Sequence, residues 1–469
     1  MTRLVWFRND LRLADNPALH AAAQGNAPLL LLYILDERTG AAGRWWLHHS
    51  LTALAQDISA KGGMLTLRRG EPVEIIAELV REHGVTAVHA ARAYEPFWRK
   101  TDRVLDAALR GLDCGLHRHL STSLFPPEQI TTKAGGPFGV FTPFARACRE
   151  AGVREGFLPA PEKLHGPETQ SDKLANWSLL PREPDWAGGL RAQWHPGEAG
   201  AMARLDAFLS EPVRDYATAR DIPARHGTSR LSPHAHFGEI SPRLVWHRAL
   251  AAGHGQGVEI FLKELLWREF SLNLLWRHEE LRTRPIREEF ETFPWRDNQA
   301  YLAAWQKGQT GIPIVDAGMR ELWRTGWMHN RVRMICASYL VKHLLIPWQA
   351  GEKWFWDTLC EADEAANGAS WQWVAGCGAD AAPYFRIFNP VLQGRKFDPD
   401  GVYVRRFVPE LKNLPDAYLH CPWEAPQAVL AGAGIRLGHE YPVPLVQPAD
   451  GRQAALAAYE TLKAARHTG

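Results

Sequence analysis

A chain of 469 residues exceeds what one hydrophobic core of ordinary size supports, so roughly two to three domains are expected. Hydrophobic residues at 46% and charged residues at 23% exclude a chain that is mostly disordered, collagenous or membrane-embedded. Lysine and arginine (54) nearly cancel aspartate and glutamate (52), so any polyanion would be held by local arginine clusters and not by a global field.

The opening MTRLVWFRND is too polar for a signal peptide, and no stretch approaches the roughly 18 apolar residues of a membrane span. Short apolar runs then alternate with helical patterns. The runs are LVWF after Arg3, PLLLLYIL from Pro28, MLTLRRG from Met64 and TAVHAAR from Thr86. Between them stand Pro17 to Gln24, RWWLHHSLTALAQDISAKGG, EPVEIIAELVREHG and a helix beginning near Pro96. Strands spaced by such helices predict βαβ units and a doubly wound parallel, Rossmann-like sheet over residues 1–125. A dinucleotide fingerprint would place GxGxxG after the first strand. FRNDLRL stands there instead, which excludes a plain NAD domain.

From Ser121 to Gly200 the chain is rich in Pro, Gly, Trp and polar residues with little periodicity, so 126–195 reads as a connector, with a boundary near Trp194. Beyond it MARLDAFLS, RLVWHRALAAG, EIFLKELLWREFSLNLLWRHEE and GWMHNRVRMICASYLVKHLL are helical, so 196–469 is expected to be all-α. Cys114, Cys148, Cys336, Cys360, Cys377 and Cys421 lack CxxC or ligand spacing, which argues against a disulfide framework or a metal site and fits a reducing, cytoplasmic compartment.

Of 20 tryptophans, twelve fall between Trp246 and Trp373, more than core filling requires, because each buried indole N–H needs a partner. The helix that follows Thr325 and Gly326 and ends before Pro347 would have a face running Trp323, Trp327, Asn330 or Arg331, and Met334. Donors interrupting an aromatic stripe suit a planar polar ring, a base or an isoalloxazine, or else a helix end reaching solvent. Glu264 and Trp267 lie one turn apart, as stacking on a base with a carboxylate acceptor requires, although ion pairs beside tryptophan are common.

Six arginines face three acids between Arg214 and Arg248, either a phosphate-facing edge or a solvated one. The loop GTSRLSPH, Gly227 to His234, offers hydroxyls and backbone N–H groups for a phosphate, or simply caps a helix; it is not a Walker A loop. EADEAANGASWQW, Glu361 to Trp373, gathers carboxylates, an amide and two indoles. Ser-His-Asp order, HExxH and kinase signatures are missing, so a redox cofactor among aromatics is better supported than hydrolase or phosphotransferase chemistry.

Together LVWFRNDLRLADNPAL, GTSRLSPHAHFGEISPR, ELLWREF, TGWMHNRVRM and WQWVAGCGADAAPYFRIFNPVLQGRKFDPDG resemble the photolyase and cryptochrome flavoproteins over nearly the whole chain. Within that family the motifs are most similar to bacterial class I type cyclobutane pyrimidine dimer photolyases. The resemblance implies an α/β antenna-chromophore domain (1–125), a connector (126–195) and a helical domain (196–469) that binds FAD and DNA. It implies FAD, working as FADH⁻, held by Tyr216, Thr228, Ser229, Arg230, Leu231, Ser232, Phe261, Arg333, Glu361, Asp363 and Asn367. Asn367 would face flavin N5, where an amide favours the reduced ring without adding negative charge. Trp371, Trp348 and Trp295 occupy the positions of the family's electron-transfer chain. Trp267 and Trp373 would wall a pocket for a flipped dimer, with Glu264 and Asn330 on the base edges, Met334 on the lesion, and Arg220, Arg331 and Gln393 on the DNA.

The resemblance therefore implies a monomeric, cytoplasmic, light-driven lyase acting on UV-damaged DNA, with no metal and no membrane. A cryptochrome-type receptor or a (6-4) photolyase is the alternative; Met334 and the short segment after Pro426 favour dimer repair. Glu361 stands where the family usually has Asp, Glu364 where it has an apolar residue, and Phe261 where some relatives have Trp. His117 lies near the place of an acidic residue that holds methenyltetrahydrofolate, which leaves the antenna open between that folate, a deazaflavin, a flavin and none.

Overall fold

The computed structural model describes residues 1–380 and 385–468; positions 381–384 of the small-residue run after Trp373 lie outside the described residues. The chain divides into two compact units. The first comprises Met1–Trp186, Arg191–Arg214 and Ser229–Glu279, and the second comprises Ala187–Leu190, Asp215–Thr228 and the chain from Glu280 onward.

In the first unit the strands are β1 (Thr2–Phe7), β2 (Leu29–Ile34), β3 (Leu65–Arg68), β4 (Val85–Ala91) and β5 (Gly115–His119). They form a five-stranded parallel sheet in the order β3-β2-β1-β4-β5, the doubly wound topology expected. The connecting helices are α1 (Pro17–Ala22), α2 (Ala41–Ala60), α3 (Pro72–His83) and α4 (Pro96–Arg110). Leu4, Trp6, Leu30, Leu32 and Ile34 pack with Ile76, Leu79, Leu105 and Leu109 of α3 and α4. Their strand neighbours Val5, Phe7, Leu31 and Tyr33 are buried too, so both faces of the sheet are covered and the strands read as continuous apolar runs. β5, GLHRH, is the half-exposed polar edge of the sheet, so it shows no apolar run in sequence.

The unit also holds the helices Phe141–Ala151, Glu198–Ser210, Pro242–Ala251 and Gln256–Arg277. Glu269 on the last of these is fully buried and accepts from the Phe125 N–H at 3.3 Å. Burial pushes its carboxyl up to about 7 from an ordinary 4.5. The folded form thus holds a proton that the unfolded form releases, so this contribution to stability is complete below the ordinary carboxylate range and is lost as pH rises through about 7. Glu269→Gln is expected to flatten the fall in thermal midpoint between about pH 5 and about pH 8.

The second unit is helical. Its core runs through Trp305, Met319, Met328, Leu340, Trp348, Phe355, Trp371, Tyr403 and Tyr441. The expected continuous stripe from Trp323 to Met334 is broken here. Gly326 takes φ 65° and ends the helix Pro313–Thr325, and a new helix, Asn330–Ser338, starts where the His329 ring accepts from the Arg331 N–H at 3.2 Å. Trp323 is therefore on another element, 55% exposed and stacked on Trp354 at 6.0 Å. Among the described residues no helix is long and apolar enough to cross a membrane.

Candidate functional site

Within the first unit, the loop before the short helix Ser232–His236 carries Ser229, Arg230, Leu231 and Ser232. Ser229 Oγ accepts from the Leu231 N–H at 3.4 Å, and Arg230 sits at φ 51°, a left-handed conformation that costs a non-glycine residue roughly 1 kcal/mol or more. Behind the loop, Glu239 accepts from the Trp46 indole at 3.0 Å and pairs with His234, so the turn rests on a fully buried polar anchor. Arg204, which sequence patterns do not single out, lies close enough to Arg230 that burial and then that neighbouring charge lower its guanidinium pKa. Two cations at one hydroxyl-bearing loop make a site for an anion.

Phe261, Glu264 and Trp267 share the helix Gln256–Arg277. Phe261 is buried against Phe208 at 4.7 Å, whereas Glu264 and Trp267 are half-buried. The Trp267 ring is stacked on Phe141 at 3.7 Å and 5°, which fixes the plane of the indole. Phe141 stands inside the stretch read as a connector, and nothing in its local sequence marks it.

Within the second unit, Tyr216 begins a four-residue helix and Arg220 lies over its ring at 5.5 Å. Thr228 closes the same segment. Asn330, Arg331 and Met334 come together on the helix Asn330–Ser338. Arg331 is already engaged: it donates to Asp221 at 2.8 Å, reaches Met334 Sδ at 3.9 Å and lies over Phe397 at 4.5 Å. Arg333 pairs with Glu361 and donates through Nε to the Met328 carbonyl at 2.6 Å, so the longer Glu side chain does reach it. Asp363 caps the helix Glu364–Ala375 by accepting from the Ala366 N–H at 2.8 Å.

That helix carries Asn367, Trp371 and Trp373. Asn367 donates to Glu352 Oε1 at 2.9 Å and to the Glu352 carbonyl at 3.2 Å. Trp373 donates to the Asp380 carbonyl at 3.1 Å and lines a cavity with Arg287, Phe290, Phe385 and Tyr459. Gln393 is half-buried on the helix Pro390–Phe397. Trp371 and Trp348 are 2% and 1% exposed, while Trp295 is partly exposed and packs on Phe293 at 4.3 Å. Trp305 was not among the expected residues, yet it meets Trp371 edge-on at 6.2 Å and hydrogen-bonds to the Cys336 carbonyl at 3.0 Å.

Residues 3–164 match the family model described as DNA photolyase, and residues 261–461 match the FAD binding domain of DNA photolyase. A deoxyribodipyrimidine photo-lyase of Agrobacterium fabrum is 48% identical, with 98% of each chain covered. The chain belongs to the DNA photolyase family. Among solved structures, a bacterial class III photolyase from Agrobacterium tumefaciens has a TM-score of 0.96 at 47% identity, covering 99% of this chain and 98% of that one. The motifs lead to an expectation of the class I type, whereas this neighbour is named a class III photolyase. Cryptochrome-2 of Arabidopsis thaliana is 35% identical over 94% of this chain and 76% of its own length.

The residues of each unit fit the flavin that this photolyase family model names. The first unit supplies a cationic hydroxyl-bearing loop suited to phosphates. The second supplies an amide whose two N–H donors are both used internally, leaving its oxygen as an acceptor, on the helix that also carries the oxidisable indole of Trp371.

Proposed function

We propose that the chain is a light-driven DNA repair lyase that splits cyclobutane pyrimidine dimers. The observation that carries this reading is the 48% identity with a deoxyribodipyrimidine photo-lyase across 98% of both chains. Held by residues such as Ser229, Ser232, Arg333 and Asn367, reduced FAD would supply light-driven one-electron chemistry to the dimer, with no net oxidation. The protein's own groups hold and orient both partners.

In this reading residues 1–125 carry an antenna chromophore, methenyltetrahydrofolate or a deazaflavin; 126–195 connect; and 196–469 hold FAD and DNA. Ser229 to Ser232, Tyr216 and Thr228 bind the phosphate side of FAD, and Arg204 joins them. Phe261, Arg333, Glu361, Asp363 and Asn367 bind the remainder. Trp371, Trp348 and Trp295 pass electrons inward to the flavin, and the burial of the first two beside the partial exposure of the third supports that order. Glu264, Trp267, Asn330, Met334 and Trp373 receive the extruded dimer, with Arg220, Arg331 and Gln393 at the DNA strand. The protein works as a monomer in the cytoplasm.

The deciding assay follows dimer loss from UV-irradiated oligo(dT) incubated anaerobically with dithionite-reduced protein, in blue light and in the dark. Light-dependent recovery of intact thymines is the expected result. Persistence of the dimers with flavin bound and reduced would overturn it in favour of a photoreceptor or a (6-4) lesion. Trp267→Ala should weaken binding of dimer-containing DNA by roughly 5- to 150-fold, since stacking contributes about 1–3 kcal/mol per base. Filter binding of damaged against undamaged strands checks it.

A further inference from the structure

We infer that Glu352 and Arg282 are positioning residues that lock the Asn367 amide so that only its carbonyl oxygen is offered to flavin N5. The inference rests on the placement of Asn367 at that nitrogen and adds what decides which end of the amide faces it.

An asparagine side chain is ambivalent, with two donors on one end and an acceptor on the other, in nearly the same shape. Here the ambivalence is removed by one residue. Both Asn367 Nδ2 hydrogens go to Glu352, one to Oε1 at 2.9 Å and one to the backbone carbonyl at 3.2 Å. Turning the amide over would set Oδ1 against a carboxylate and a carbonyl in a buried place, two acceptor-to-acceptor contacts with no donor between them. Oδ1 is left as the polar side-chain atom not committed to Glu352.

Glu352 is itself held. It is 4% exposed on the helix Trp348–Thr358, and Arg282 donates to it through Nε at 2.6 Å and Nη2 at 3.4 Å. The guanidinium lies 3.5 Å over the Trp356 ring. Its backbone is clamped from the helix Glu364–Ala375. Gln372 donates to the carbonyls of Leu281 and Arg284 at 2.7 Å each and accepts from the Ile286 N–H at 2.8 Å. Arg282 also balances the carboxylate charge, so an acceptor is presented without adding net negative charge near the ring.

The chemical consequence is a choice between oxidation states. Reduced flavin carries N5–H, a donor that matches Oδ1. Oxidised flavin carries a lone pair at N5, which meets Oδ1 as acceptor against acceptor. Locking the amide therefore favours the reduced ring that repair requires.

The test uses FAD-loaded protein, flavin content being read from absorbance, and follows air reoxidation after dithionite reduction. Asn367 Nδ2 and Arg282 Nε share Oε1, while Oε2 faces Arg282 Nη2; Glu352→Gln preserves size but removes the charge that holds Arg282 and sets an amide N–H against Nη2, which loosens the shared acceptor, so it should reoxidise about three- to tenfold faster, the equivalent of one hydrogen bond. Asn367→Ala should do the same, and Glu352→Gln should add nothing in the Asn367→Ala background. An unchanged rate in Glu352→Gln with Asn367→Ala fast would overturn the inference. So would a Glu352→Gln effect that persists undiminished without Asn367. An unchanged rate in Asn367→Ala would instead sink the placement of Asn367 at N5, and wild-type protein that takes up no FAD would sink the flavin reading itself.

Discussion

Trp371→Phe is expected to abolish light-driven reduction of oxidised flavin while leaving dimer repair by chemically reduced protein near the wild-type rate. Phenylalanine keeps most of the ring contact with Phe355, 5.0 Å away, and with Trp305, so the helix should fold as before. It lacks the easily oxidised indole. Two packing contacts join the segments that carry the proposed chain. A Cβ built on Gly351 would lie 2.1 Å from Trp371 Cη2, so the indole tip presses on the backbone one turn past Trp348. Arg296, next to Trp295, donates its N–H to the Leu345 carbonyl at 2.7 Å, three residues before Trp348. Flavin bleaching under blue light with an external electron donor reads the first activity, and thymine recovery with dithionite reads the second. Equal loss of both would remove Trp371 from the chain.

Gln372→Ala should lower the thermal midpoint more than any surface substitution, by an amount equivalent to roughly 3–5 kcal/mol. Gln372 is completely buried, and its amide serves two carbonyls and one N–H of the Leu281–Ile286 turn. Deleting it strands three backbone groups at once and leaves a void beside Trp371. Thermal unfolding followed by flavin fluorescence and circular dichroism checks the size of the loss. A change smaller than that of an exposed position such as Glu280 would show that the turn finds other partners.

How much of this was readable beforehand depended on the physical signal. β1 to β4 are apolar runs because a parallel sheet is covered on both faces, and such runs stand out; β5 is an edge of glycine, histidine and arginine and does not. The helix Gln256–Arg277 was plain from its period, whereas Gly326 cut an equally periodic stretch in two by taking a left-handed turn that apolar spacing does not report. Asn367, Trp371 and Arg333 lie in segments whose unusual mixture of amide, indole and charge has no core explanation. Glu352 does not: within WQAGEKWFWDT a glutamate beside a lysine reads as a solvated helix position. Only the fold shows it buried and paired to Arg282. Phe141 and Arg204 were hidden for the same reason, since their roles come from neighbours far away in sequence.

All six cysteines are unpaired and buried, and burial pushes their thiols up, Cys377 to about 12. At neutral pH they are protonated and out of reach, so maleimide and iodoacetamide reagents should leave the native protein unlabelled. The chain is in that respect already a blank background for spectroscopy. A single engineered cysteine at an exposed position such as Trp323 would be the one attachment point for a dye or spin label, without first replacing any native thiol.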